Sequence, residues 1–158
     1  MVLRKEFVLA LTPCLLALGL EAQTQSGPSG QMDSTQYTIQ NCVNTFSREK
    51  AEETKAGYQY WFVDRHFAGG KTLKMSVVRP HSATHAPHAH PEDEFFFILE
   101  GEAEFFLAGE TRTVGKNTSL YCPANVEHGI RNVGDMELKY LVIKRYPESR
   151  GRHASRYD

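Results

Sequence analysis

The sequence predicts an all-β fold, a single barrel or sandwich of short strands. Three observations carry that expectation. Runs of β-branched and aromatic residues recur at regular spacing, glycine-bearing turn signals separate them, and only residues 47–55 have helical character.

Taken in order, the run Tyr58-Gln59-Tyr60-Trp61-Phe62-Val63 after Gly57 is aromatic and β-branched and reads as a strand. Residues 73–78 alternate and end in the pair Val77-Val78. Residues 95–99, 103–107 and 138–143 continue the series, with Glu100-Gly101, Ala108-Gly109 and Val133-Gly134-Asp135 as turns. The helical stretch 47–55 holds Arg48, Glu49, Lys50, Glu52, Glu53 and Lys55, so as a helix it would be a solvated surface piece.

The ends differ from this middle. Arg4 and Lys5 precede an apolar run from Phe7 to Leu20, the layout of a secretory signal over residues 1–22. That run is shorter than the ~20 residues of a comfortable membrane span, and Pro13 interrupts it, so cleavage is favoured over anchoring. The expectation is an exported protein, periplasmic or extracellular, free of the membrane after cleavage. Residues 23–36, rich in Gln, Ser, Gly and Pro, read as a flexible linker, residues 37–148 as one barrel domain and residues 149–158 as a polar tail. A formal net charge of −1 over 158 residues offers no electrostatic footprint for nucleic acid or an anionic membrane, which leaves a small-molecule substrate as the expected partner.

Chemistry concentrates in two segments. His88-Ala89-His90 places two imidazoles on one face of an extended strand, and the breakers Pro91, Glu92 and Asp93 let the chain bend so that Glu94 returns toward them. The second segment, from Gly115 through Cys122-Pro123-Ala124-Asn125-Val126-Glu127-His128 to Asn132, supplies His128 as a fourth ligand-type side chain. The pair of segments resembles the two signature motifs of the cupin superfamily, Gly-(x)5-His-x-His-(x)3-Glu-(x)6-Gly and Gly-(x)5-Pro-x-Gly-(x)2-His-(x)3-Asn. Three glycine positions of those motifs hold Ser82, Asn117 and Asn125 here. Asparagine tolerates a left-handed backbone, so Asn117 and Asn125 can replace turn glycines at small cost.

The resemblance implies a double-stranded β-helix, the jelly-roll barrel of the small single-domain cupins, and a metal held by His88, His90, Glu94 and His128. Three neutral imidazoles and one carboxylate suit a divalent transition metal and do not choose among Fe, Mn, Ni, Co and Zn. Four protein ligands around an octahedral ion would leave two positions for substrate or water. Three uses compete. The metal can act as Lewis acid on a small sugar-like or keto-acid substrate, in isomerase or lyase chemistry. It can serve a dioxygenase or other oxidoreductase, or it can hold a ligand without catalysis. An enzyme is favoured, because structural metal sites are usually closed. No side chain is singled out as the catalytic acid or base.

Period two on the Glu94 strand sends Phe96 and Ile98 to the carboxylate side, and Ile130 shares the parity of His128, so these three are substrate-pocket candidates. His85, in the loop before the ligands, is a fourth, at the cavity mouth. Phe95, Phe97 and Leu99 face the other way, and a strand apolar on both faces implies a second layer or a homodimer partner. With Cys14 removed in the signal, Cys42 and Cys122 remain. A disulfide between them competes with the stronger reading of Cys122 as a buried free thiol. Asn117-Thr118-Ser119 matches a glycosylation acceptor.

Overall fold

In the computed structural model the described residues are 37–147, and they form two antiparallel sheets. The strands are β1 (Glu52–Thr54), β2 (Gly57–Ala68), β3 (Lys71–Val78), β4 (Glu94–Glu100), β5 (Ala103–Leu107), β6 (Glu110–Val114), β7 (Ser119–Cys122), β8 (His128–Asn132) and β9 (Leu138–Arg145). Six of them make one sheet in the order β1-β2-β3-β9-β4-β7, and three make the other, β6-β5-β8. The signal segment, the linker and the polar tail expected at the chain ends lie outside the described residues.

Alternation builds the core between the sheets. Phe96 and Ile98 on β4, Ala103 on β5, Leu120 and Cys122 on β7 and Leu138, Tyr140 and Val142 on β9 are all buried together. The opposite face of the six-stranded sheet has a smaller cluster, Tyr60, Met75 and Val77, on which Leu99 and Leu141 pack. The chain before β1 covers this second layer: Phe46 stands edge-on to Tyr60 at 5.2 Å, and Tyr60 donates its hydroxyl to the Thr45 carbonyl. Beyond that cover, Phe95, Tyr121 and Ile143 remain about half exposed, side by side on β4, β7 and β9.

The helical expectation for residues 47–55 does not hold. Only Arg48–Lys50 makes a 3₁₀ turn, and Glu52–Thr54 is strand β1. The charges that resemble a helix surface serve a cross-strand role instead: Glu52 pairs with Gln59 in the β1–β2 ladder and accepts from its side-chain amide at 2.8 Å. A single helical turn, Ile39–Cys42, capped by Thr38 and Asn41, precedes them. Among the described residues Cys42 and Cys122 form no disulfide: Cys42 is exposed and Cys122 is buried.

The substituted glycine positions behave as asparagine chemistry requires. Asn117 and Asn125 sit at φ 62° and 59°, in the left-handed region. Ser82 needs no glycine, because the left-handed residue of that turn is His81 at φ 53°. Gly101 is different. It sits at φ 85°, and a Cβ there would lie 2.6 Å from the Glu137 carbonyl oxygen. Gly101→Ala is therefore expected to cost roughly 2–4 kcal/mol, read as a lower urea midpoint at unchanged slope. An unchanged midpoint would show that the turn relaxes freely.

Candidate metal centre

Two short segments are stitched together at the site. His88 and His128 form an isolated antiparallel bridge, with His88 N–H donating to the His128 carbonyl at 2.9 Å and the reverse bond at 3.0 Å. This places both motifs at one end of the barrel. The ligand atoms of His88, His90 and His128 all lie within 4.8 Å of one another. Glu94, first residue of β4, brings Oε1 to 3.0 Å from His128 Nε2 and 3.5 Å from His90 Nε2. The structure thus brings all four expected side chains together, with Glu94 and His128 buried and the other two half-buried.

The tautomers follow from what the other ring nitrogens touch. Nδ1 of His88, His90 and His128 faces the carbonyl of Ala86, Glu92 and Val126, at 3.2, 2.7 and 2.7 Å. A carbonyl only accepts, so in each neutral ring the proton sits on Nδ1 and Nε2 is the nitrogen that can bind a cation. His128 Nε2 and Glu94 Oε1 are then two acceptors at hydrogen-bond distance in a buried place. In that neutral form the contact is unfavourable alone, and a proton or a metal ion between the two atoms satisfies it. Backbone carbonyls that fix Nδ1–H and aim Nε2 are also what metal-binding histidines use. The donor set therefore fits a divalent transition metal.

A cavity of about 200 Å³ opens from these ligands. Phe96, Ile130 and His85 line it, the last beside His88 with ring centres 4.9 Å apart. Ile98 does not. It is fully buried in the core two residues farther along β4, because parity gives a face and not a depth.

Several cavity residues escape the sequence motifs. Thr72, Lys74 and Ser76 on β3 and Tyr140, Val142 and Lys144 on β9 all line it. On β3 the signal is polar side chains at 72, 74 and 76 between apolar 73, 75 and 77, and β9 carries no such pattern. Lys144 Nζ reaches His90 Nε2 at 3.0 Å and stands 3.7 and 3.8 Å from Glu92 and Glu94. Burial lowers the Lys74 amine from its usual range. Burial pushes the Tyr140 hydroxyl up to about 12, so it stays a neutral donor beside Ser76 and Thr84. Burial and the Glu94 carboxylate push the Cys122 thiol up to about 12, so it remains a thiol although it lies near Glu94 and His128.

The Cupin domain family model matches residues 74–144. The chain is 35% identical over 78 residues to an H2HPP isomerase of Bacillus subtilis, covering 49% of this chain and 33% of that protein. It is 32% identical over 80 residues to the dimethylsulfoniopropionate lyase DddQ of Ruegeria pomeroyi, covering 50% of this chain and 39% of that one. The chain thus spans less than half the length of either relative. In fold it is similar to a Cupin 2 conserved barrel domain protein from Salinispora arenicola, with a TM-score of 0.56 at 17% identity over 66% of this chain and 87% of that one.

Proposed function

We propose that this chain, which the Cupin domain model matches over residues 74–144, is a small cupin and a metal-dependent enzyme of the isomerase or lyase type acting on a small sugar-like or keto-acid substrate. The observation that carries the proposal is the convergence of three imidazoles and the Glu94 carboxylate at the head of a small cavity. A divalent ion held there would supply a Lewis acid for a carbonyl or enol oxygen of the substrate. The chain's own residues would do the rest. Phe96, Ile130 and Val142 make an apolar wall that limits water, and Tyr140, kept as a neutral phenol, offers a proton donor from the wall. The names of the isomerase and lyase relatives agree with this class of chemistry.

The same reading includes export, from the basic and apolar character of residues 1–22, and a homodimer. Phe95, Tyr121 and Ile143, exposed by 45, 47 and 46%, form the kind of apolar face that partner chains cover. Sedimentation would test the dimer; a monomer at all concentrations would remove it.

The metal is tested by elemental analysis of the protein purified without an affinity tag, beside the His88→Ala/His90→Ala double variant. Near-stoichiometric divalent metal is expected in the first and less than about a tenth of that in the second. Equal metal in both, or none in either, would overturn the site. Oxygen consumption with candidate substrates would move the assignment to oxidoreductase chemistry.

A further inference from the structure

The cavity wall carries more positive charge than a neutral ligand requires. Lys74 on β3 and Lys144 on β9 both line it. The register pairs Lys74 with Val142 and Thr72 with Lys144, so the two lysines are diagonal neighbours on one inward face, with backbones roughly 7–8 Å apart. Two ammonium groups facing one small cavity repel each other, and each loses hydration there.

Their present partners do not neutralise them equally. Lys74 Nζ donates to Gln59 Oε1 at 3.3 Å and stands 5.1 Å over the Trp61 ring, both neutral groups. Lys144 Nζ approaches His90 Nε2 most closely, at 3.0 Å, and stands farther from Glu92 and Glu94, at 3.7 and 3.8 Å. The single lone pair of His90 Nε2 can serve Lys144 or a metal ion, but not both. With that lone pair committed to a metal, the Lys144 ammonium keeps only its longer carboxylate pairings and can turn to a new acceptor in the cavity. A divalent ion and two lysines then face the Glu94, Glu92 and Glu52 carboxylates, four positive charges against three negative.

The geometry points to an anionic substrate, a small 2-keto acid whose carboxylate is received by Lys74 and Lys144 while its carbonyl faces the metal-binding imidazoles. This rests on the metal-centred reading above and narrows its substrate class from sugar-like or keto-acid to the acid. Thr72 and Ser76 flank Lys74 on the same strand face and keep that side of the cavity polar, although the Thr72 hydroxyl itself donates to the Lys144 carbonyl at 3.1 Å.

The test uses two probes of nearly the same shape, pyruvate and its neutral amide pyruvamide, titrated calorimetrically into the full chain as purified. Each preparation is also analysed for metal and melted. In Lys74→Met, pyruvate is expected to bind about tenfold more weakly while pyruvamide stays within about twofold, and Lys74→Arg is expected to recover most of the pyruvate affinity. Lys144→Met should repeat the loss at unchanged or higher metal content, because it removes a competitor for His90 Nε2. The inference is overturned if the wild-type protein binds both probes equally or not at all, or if Lys74→Met weakens both together. A protein that carries no metal yet still prefers pyruvate through Lys74 would overturn the metal reading and not the charge selectivity, so the two failures are distinguishable.

Discussion

Asn132→Asp is expected to remove roughly 3–5 kcal/mol of folding free energy, about a fifth or more of what a domain commonly has. Asn132 is fully buried. Its Nδ2 donates to the Val78 carbonyl at 2.9 Å and the Met136 carbonyl at 2.7 Å, and its Oδ1 accepts from Gly134 N–H at 3.0 Å. One side chain thus ties the end of β3, the turn before β9 and the end of β8. Aspartate has the same shape and can accept, but it has no N–H to donate. It would turn a carboxylate oxygen toward two carbonyl oxygens with no water to intervene. Packing is unchanged, so the loss measures the reversed hydrogen-bond polarity together with the cost of a buried carboxylate. Urea unfolding followed by circular dichroism reads it directly, and a midpoint within about 0.5 kcal/mol of wild type would mean that the two carbonyls find other donors.

The Asn132 network was legible in the sequence only as a motif position, and the same division runs through the fold. Strands at 58–63, 73–78, 95–99, 103–107 and 138–143 could be read because alternation and β-branched or aromatic residues both mark them. β6 could not: Glu-Thr-Arg-Thr-Val is almost wholly exposed, pairs only with β5, and has no apolar face to announce it. β1 was concealed more actively, since its charges match a helix surface, and only pairing with β2 makes it a strand. At the site, His88, His90, Glu94 and His128 were legible because their spacing is local within each segment. Lys74 and Lys144 were not, because a lysine on a strand points to solvent by default, and only closure of the barrel turns these two inward. Ile98 shows the complementary limit. Its side of the strand was right, but the distance from the metal-binding end depends on where β4 begins, at Glu94.

Glu94→Gln is expected to move stability and metal affinity in opposite directions. Where the metal-free protein holds His128 neutral, its Nε2 and Glu94 Oε1 are both acceptors, 3.0 Å apart, with the carboxylate almost fully buried. A glutamine amide would donate to that nitrogen in place of the opposed lone pairs, and it would remove the cost of burying a charge. The ion pair with Lys144 that glutamine gives up is loose, 3.8 Å, and Lys144 already has His90 Nε2 at 3.0 Å. The net expectation for the metal-free variant is a gain of about 1 kcal/mol, measured near pH 8, above the ordinary histidine range. Metal binding should suffer. An amide is a weaker, uncharged ligand, and a loss of affinity of roughly ten- to a hundredfold removes about 1.4–2.7 kcal/mol of the stabilisation that saturating metal confers. Thermal melts of both proteins with and without zinc or nickel would read the two effects separately. A structural carboxylate with no role at the metal predicts the reverse pattern: a metal-free midpoint below wild type and a full metal-induced rise. That result would take Glu94 out of the ligand set and leave the three histidines alone.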